Sequence, residues 1–188
     1  MAPPRVVVLA GPNGAGKTTT AQHLVRDLLG VRNFVNADTI ARGLAAFDPE
    51  SVAFAAGRVM LGRMHELAAM RADFAFETNL TSRSLAPWLA ELRAAGYRLL
   101  LAFLWLPSPE LAVARVVGRV SEGGHHVPED VIRRRYARGL VNLRNTFLPM
   151  ADAVWLFDSS RMSPHLVAAG PPQVLVQHEP EIVRRILS

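Results

Sequence analysis

The sequence predicts an α/β fold in three layers: a mostly parallel five-stranded sheet, helices on both of its faces, and a helical lid. Three observations carry that prediction. Short apolar runs alternate with longer segments of helical periodicity, the pattern of successive β-α units. The run from Leu99 to Leu106 is apolar without a break, as a central parallel strand covered on both faces should be. Between the first apolar run and the first helical segment stands Gly11-Pro12-Asn13-Gly14-Ala15-Gly16-Lys17-Thr18, which fits G-x-x-x-x-G-K-[ST], the phosphate-binding P-loop.

The context of that loop suits its mechanism. Arg5 to Ala10 reads as a buried strand, and Thr18 to Leu29 as a helix with Leu24, Leu28 and Leu29 on one side. Backbone N–H groups of Gly11, Asn13, Gly14, Ala15 and Gly16, with Lys17, Thr18 and Thr19, are the expected nucleotide-binding set. Lys17 would reach the β- and γ-phosphates, and the Thr18 hydroxyl would hold Mg²⁺. Of the 21 Lys and Arg residues, Lys17 is the only lysine. A chain that otherwise uses arginine keeps a compact point charge where one must fit among phosphates.

A second strand, Asn33 to Ala37, ends at Asp38. Strand carboxyl ends face the ligand crevice in open α/β sheets, so Asp38 is a candidate catalytic group. It also reads as the N-cap of a helix from Thr39 to Ala46. A long helix follows over Val52 to Met70, and then a third strand, Asp73 to Phe76, that delivers Glu77, Thr78 and Asn79 to a ligand. Thr81 or Ser82 would cap the next helix, which runs to Ala95. Glu77 needs a partner, because a carboxylate at the end of an apolar run is costly alone.

Tyr97 to Leu106 is the fourth strand, and a helix over Leu111 to Val120 places Arg115 and Arg119 on one face, four residues apart. Ser121 to Pro128 is a Gly-containing turn with His125 and His126. Pro128 opens a further helix, with Glu129 and Asp130 in its first turn. Its apolar stripe is Ile132, Tyr136, Leu140, Leu143 and Phe147, and Arg133, Arg134, Arg135 and Arg138 leave it on several sides. Two arginine-bearing helices about a hinge, residues 111–146, describe a lid over phosphates. Arg133 and Arg138 read as solvated, and Arg119 as functional. His125 reads as a phosphate-contacting or backbone-locking residue. The fifth strand is Ala153 to Asp158. Pro164 to Pro172 reads as loop, Gln173 to Gln177 as a short edge strand, and Pro180 to Leu187 as a closing helix.

A length of 188 residues suits a single domain over 1–188. There are no cysteines, which excludes disulfides and thiolate metal sites. No run is long enough for a membrane span, and the four residues before the first strand leave no room for a signal peptide, so a cytoplasmic protein is expected. Net charge is +5. The arginines lack interleaved aromatic residues, so nucleic acid is not the expected partner.

The ordered set Gly11 to Thr18, Phe34-Val35-Asn36-Ala37-Asp38, Phe76-Glu77-Thr78-Asn79-Leu80, Gly123-Gly124-His125 with Pro128, and Asp158-Ser159-Ser160 resembles the zeta toxin family of P-loop kinases. The resemblance implies a P-loop NTPase core related to nucleoside monophosphate kinases, with ATP or GTP and Mg²⁺ as donor. It implies Asp38 as catalytic base and Glu77 as the conserved carboxylate after the third strand, and Arg119 or Arg115 as the lid-helix arginine. It also implies UDP-N-acetylglucosamine as acceptor and an antitoxin protein as partner. The chain departs from the longer toxins in the lid loop, where Val120 to Ile132 contain no arginine. Arg134, Arg135 or His125 would take that phosphate contact.

The expected site is therefore Asp38, Lys17, Arg119, Arg134 and Arg135 for catalysis, Thr18 for the metal, and Asn36, Glu77, Thr78, Asn79, Arg115 and His125 for the substrate. The leading reading is a kinase for a small hydroxyl-bearing acceptor. A nucleotide-dependent regulatory ATPase that transfers nothing is the alternative. Carboxylates at two strand ends favour the kinase, because a switch needs no general base.

Overall fold

The computed structural model describes residues 2–121, 127–161 and 163–188. Its centre is a seven-stranded sheet in the order β2-β3-β1-β4-β5-β6-β7. The strands are β1 (Arg5–Ala10), β2 (Asn33–Val35), β3 (Phe74–Thr78), β4 (Arg98–Trp105), β5 (Ala153–Asp158), β6 (His165–Gly170) and β7 (Val176–Gln177). The first five in sheet order pair parallel; β6 and β7 are antiparallel. β1 lies between β3 and β4, which puts the loop after Ala10 in the middle of the sheet's carboxyl edge.

Helices cover both faces. α1 (Lys17–Ala21) continues as a π-helical stretch over Gln22–Leu28; α5 (Pro109–Ser121) lies on the same face, and Leu24, Val25, Ala112 and Val116 form one core with Val7 and Leu9 of β1. α3 (Ala53–Ala69), α4 (Ala86–Ala94) and α8 (Pro180–Leu187) cover the other face, where Met64, Leu67, Leu89 and Ile186 meet Val6 and Val8. Alternation along β1 thus feeds two cores, and every residue of β4 after Arg98 is buried. Burial of each large side chain there stabilises the fold by about 1.5–3 kcal/mol. The short α2 (Ala37–Leu44) follows β2.

α6 (Glu129–Asn142) behaves differently. It continues through a π-helical turn, Leu143–Phe147, into α7 (Leu148–Met150). Its apolar stripe divides: Ile132 and Tyr136 join the first core, whereas Leu140, Leu143 and Phe147 join the second. The helix does this by crossing the carboxyl edge of the sheet. The Tyr136 hydroxyl donates to the Leu106 carbonyl after β4 at 2.7 Å, and Asn142 Nδ2 donates to the Leu80 carbonyl after β3 at 2.7 Å. Between those points Gly139 lies against the Asn79 carbonyl so closely that a Cβ there would stand 2.7 Å from the oxygen.

The sheet departs from expectation at its far end. Pro164 to Pro172 was expected to be loop, yet His165–Gly170 pairs with β5, making seven strands instead of five. The flanking Pro164, Pro171 and Pro172 read as loop punctuation, but they bound a strand whose inner residues Val167 and Ala168 are fully buried. At the opposite, amino-terminal end of the sheet, Arg5 clasps Asp73: its backbone N–H donates to Oδ1 at 2.7 Å and its Nε to Oδ2 at 2.8 Å. Among the described residues, no helix is long and apolar enough to cross a membrane.

Candidate functional site

A pocket of about 450 Å³ opens at the carboxyl edge, lined by the loop after β1, the end of β3, the start of α2 and one side of α5. The loop keeps close company with α5. Gly14 has φ 77°, and a Cβ on it would meet the Ala112 carbonyl and the Arg115 Cβ, both at 3.0 Å. Only glycine satisfies the left-handed backbone and the close approach together.

Lys17 is the buried cation of the site, 7% exposed. Its ammonium donates to the carbonyls of Gly11 and Pro12, both at 2.9 Å, and to Asn79 Oδ1 at 2.7 Å. Glu77 Oε1 stands 3.8 Å away. Burial pulls the ammonium below the ordinary lysine range; the Glu77 and Asp38 carboxylates oppose that pull, and Arg119 and Arg135 reinforce it. A site with such an ammonium is primed for an anion, which would restore the compensation that burial removes.

Glu77 finds the partners its position required. Its Oε2 accepts from the Thr18 hydroxyl at 2.8 Å and from Asn36 Nδ2 at 2.7 Å. Asn36 Oδ1 in turn accepts from the Thr39 N–H at 2.8 Å, which makes Asn36 the N-cap of α2. Asp38 was expected as that cap. It lies instead in the first turn, two residues further on, where its carboxylate lines the pocket. Among the described residues its side chain accepts no hydrogen bond, so one carboxylate is clamped and the other is at hand. Asn36 is buried and uses both ends of its amide on the protein, so it supports the site from behind and does not line the pocket. Thr78 likewise does not line the pocket; its hydroxyl accepts from the Leu80 N–H at 3.1 Å.

The arginines separate. Arg115 and Arg119 line the pocket. Arg115 is engaged with backbone: it donates to the Gly14 carbonyl at 3.3 Å, Ser160 at 2.9 Å and Arg161 at 3.0 Å, tying the P-loop to the loop after β5. Arg135 bears on Lys17 electrostatically. Arg134 is exposed and faces Asp130 on its own helix at 3.6 Å. Arg133 is partly solvent-exposed, as expected, and joins α6 to α5 through Glu110, with Glu129 of its own helix as a second partner. His125 lies outside the described residues.

The donor set fits a small hard cation. Thr18 and Glu77 present oxygen ligands beside the ammonium, and Mg²⁺ is held by one or two protein oxygens together with phosphate and water oxygens. Contacts missed in the sequence are those from α6, Gly139 against Asn79 and Asn142 to Leu80. The small residue in an otherwise bulky helix was their only local signal.

Comparison with known proteins agrees with this architecture. A family model described as AAA domain matches residues 6–139. An uncharacterised protein of Haemophilus influenzae is 26% identical over 132 residues, covering 70% of this chain and 92% of the relative. Among solved structures, AvrRxo1-ORF1:AvrRxo1-ORF2 with ATP superposes with a TM-score of 0.76 at 17% identity, covering all of this chain and 64% of that one. This chain therefore spans less than two thirds of that protein's length. The PezAT toxin–antitoxin system of Streptococcus pneumoniae gives 0.71 at 17% identity, over 97% of this chain and 78% of that one. A gluconokinase from Sinorhizobium meliloti gives 0.52 at 17% identity, over 98% and 90%. The expected P-loop α/β fold is thus shared with a toxin–antitoxin protein and a small-molecule kinase.

Proposed function

Because the chain belongs to the AAA domain family, we propose that it is a Mg²⁺-dependent P-loop kinase moving the γ-phosphoryl group of ATP or GTP to a hydroxyl on a small molecule. The observation that carries this reading is the division between two carboxylates around one pocket. Glu77 is held by Thr18 and Asn36, while Asp38 lines the same pocket and, among the described residues, its carboxylate accepts no hydrogen bond. Nucleotide binding alone needs the first. Deprotonating an acceptor needs the second.

In the proposed mechanism the P-loop amides and Lys17 hold the β- and γ-phosphates. Thr18 and Glu77 would hold Mg²⁺, which neutralises phosphate charge when bound. Asp38 orients the acceptor hydroxyl and takes its proton. The hydroxyl oxygen bonds to γ-phosphorus as the bond to the β–γ bridging oxygen breaks, and the electron pair leaves with the nucleoside diphosphate. Arg119, which lines the pocket, would stabilise charge on the transferring oxygens; Arg135, whose charge is felt at Lys17, is the second candidate, and Arg134 the weaker one because it faces Asp130. Positioning and electrostatics carry such transfers. We take residues 1–188 to fold as one domain and 111–146 to form its lid region, of which 122–126 lie outside the described residues. An antitoxin-like protein is the expected macromolecular partner, supported by the toxin–antitoxin fold likeness.

The test is transfer of labelled γ-phosphate from Mg·ATP to a panel of acceptors, with Lys17→Ala and Asp38→Ala as controls. UDP-N-acetylglucosamine, implied by the zeta toxin resemblance, comes first, and gluconate second. Labelled product lost in both variants, with nucleotide binding retained in Asp38→Ala, is the expected result. Full activity of Asp38→Ala would remove the base assignment. ATP turnover that needs Lys17 but labels no acceptor would favour the regulatory ATPase.

A further inference from the structure

The buried Lys17 ammonium has every donor engaged inside the protein. It carries three N–H groups. They point to Gly11 O, Pro12 O and Asn79 Oδ1 at 2.9, 2.9 and 2.7 Å. A phosphate oxygen that reaches Lys17 has to displace one of these acceptors. The two carbonyls belong to the loop that would enclose the phosphate, so moving them dismantles the cradle. The Asn79 amide is a side chain from outside that loop, its Nδ2 donating to Asn13 Oδ1 at 3.4 Å, and it can rotate away without moving the loop's backbone. Nothing nearby replaces it without rearrangement, since Glu77 Oε1 is 3.8 Å off and its carboxylate is held by Thr18 and Asn36.

The backbone carrying Asn79 is pinned. Leu80 has φ 54°, an uncommon conformation for leucine. Asn142 Nδ2 holds its carbonyl at 2.7 Å, and Gly139 packs directly on the Asn79 carbonyl. Both Gly139 and Asn142 are on α6, the helix that also carries Arg135.

We propose that Asn79 is a positioning residue that holds the Lys17 ammonium before nucleotide arrives and gives way to the incoming phosphate, on a turn set by α6. This rests on the P-loop reading of the proposed function. The nucleotide displaces a charge-assisted hydrogen bond, so the latch opposes binding. Asn79 lines the same pocket as Asp38, so the released amide remains within it. A neighbour that only lined a phosphate site would favour binding; this one disfavours it.

The experiment is calorimetric titration of the magnesium complex of β,γ-imido-ATP into the full chain and four variants, with thermal melting to confirm that each is folded. Asn79→Ala removes the competitor and should bind about tenfold tighter, the usual worth of a hydrogen bond to a charged group. Asn79→Asp keeps the size and strengthens the latch with a carboxylate, and should bind about tenfold or more weaker. Lys17→Ala should bind weakly, and adding Asn79→Ala to it should change nothing further. Opposite signs for the Ala and Asp variants are not expected of a residue that merely supports the fold. A folded Asn79→Ala that binds no tighter than the unaltered chain overturns the latch while leaving the P-loop reading intact. Failure of the unaltered chain to bind, or undiminished binding in Lys17→Ala, overturns the P-loop reading and the latch with it.

Discussion

Gly139→Ala sets two well-understood effects against each other. Replacing glycine by alanine inside a helix normally stabilises it by about 1 kcal/mol. At Gly139 the new methyl would stand 2.7 Å from the Asn79 carbonyl oxygen, well inside van der Waals contact, and the obstacle is backbone. Overpacking of that kind costs about 1–3 kcal/mol. The net expectation runs from neutral to about 2 kcal/mol of destabilisation. Gly62 in α3 is the matched control, because nothing lies within 4 Å of a Cβ there and the position is exposed. Gly62→Ala should therefore raise the melting temperature by about 2–4 °C, the shift that about 1 kcal/mol produces in a chain of this size. Gly139→Ala should leave it unchanged or lower it by up to about 8 °C. Calorimetric melts of the two variants beside the unaltered chain measure the difference directly. If both alanines raise the midpoint equally, α6 does not press on the Asn79 turn and the reasoning fails.

Other expectations follow from the same geometry. Glu77→Gln weakens the carboxylate that holds the Thr18 hydroxyl, and should raise the Mg²⁺ concentration for half-maximal nucleotide turnover by about tenfold or more; an unchanged Mg²⁺ titration would detach Glu77 from the metal. Asn36→Ala removes the α2 cap and a bond to Glu77, and should cost about 2–4 kcal/mol in urea unfolding, with Asn36→Ser regaining only the cap's share of about 1 kcal/mol. Asp152 links β4 to the approach of β5, with its Oδ2 accepting from the Leu99 N–H at 2.7 Å and its Oδ1 from Arg93 at 2.7 Å. Burial alone would raise its pKa, but Arg93, the Leu99 N–H and Arg98 outweigh it and hold the carboxyl below the ordinary range. The folded chain then binds fewer protons than the unfolded one. The contribution is present above the ordinary carboxylate pKa and is lost as pH falls through the lowered one. Asp152→Asn should flatten the acid limb of a stability–pH curve below about pH 5, and an unaltered limb would dismiss the assignment.

Much of the layout was legible because it is written locally. β1, β5 and α8 were expected at Arg5 to Ala10, Ala153 to Asp158 and Pro180 to Leu187, and they form over those residues. Each is an apolar run or stripe bounded by residues that stop it. β6 was missed because its strand signal is four small or aliphatic residues, Leu166 to Ala169, between prolines; only pairing with β5 makes it a strand. Capping was displaced by two residues, since Asn36 and Asp38 are both good caps and the choice depends on Glu77, 41 residues on, which draws the Asn36 amide. Lys17 and Thr18 could be found from the motif. Their partners Asn79 and Glu77 lie 62 and 59 residues away in sequence and become neighbours only because β3 pairs with β1. The surface pair of Arg133 with Glu110 was hidden for the same reason, its partner standing on a different helix, 23 residues back.

The seven strands also bear on how the chain meets copies of itself. Its longest and most apolar strand, β4 with eight residues, is enclosed on both sides by partners, while the two outermost strands have only three and two residues. Unpaired strand N–H and C=O groups are templates for sticky association, and very short outer strands are one way proteins blunt them. A chain in which half the residues are hydrophobic thus offers an approaching molecule little ladder to extend. The late antiparallel addition of β6 and β7, which contributes no residue to the pocket, shields the flank that β5 would otherwise leave open.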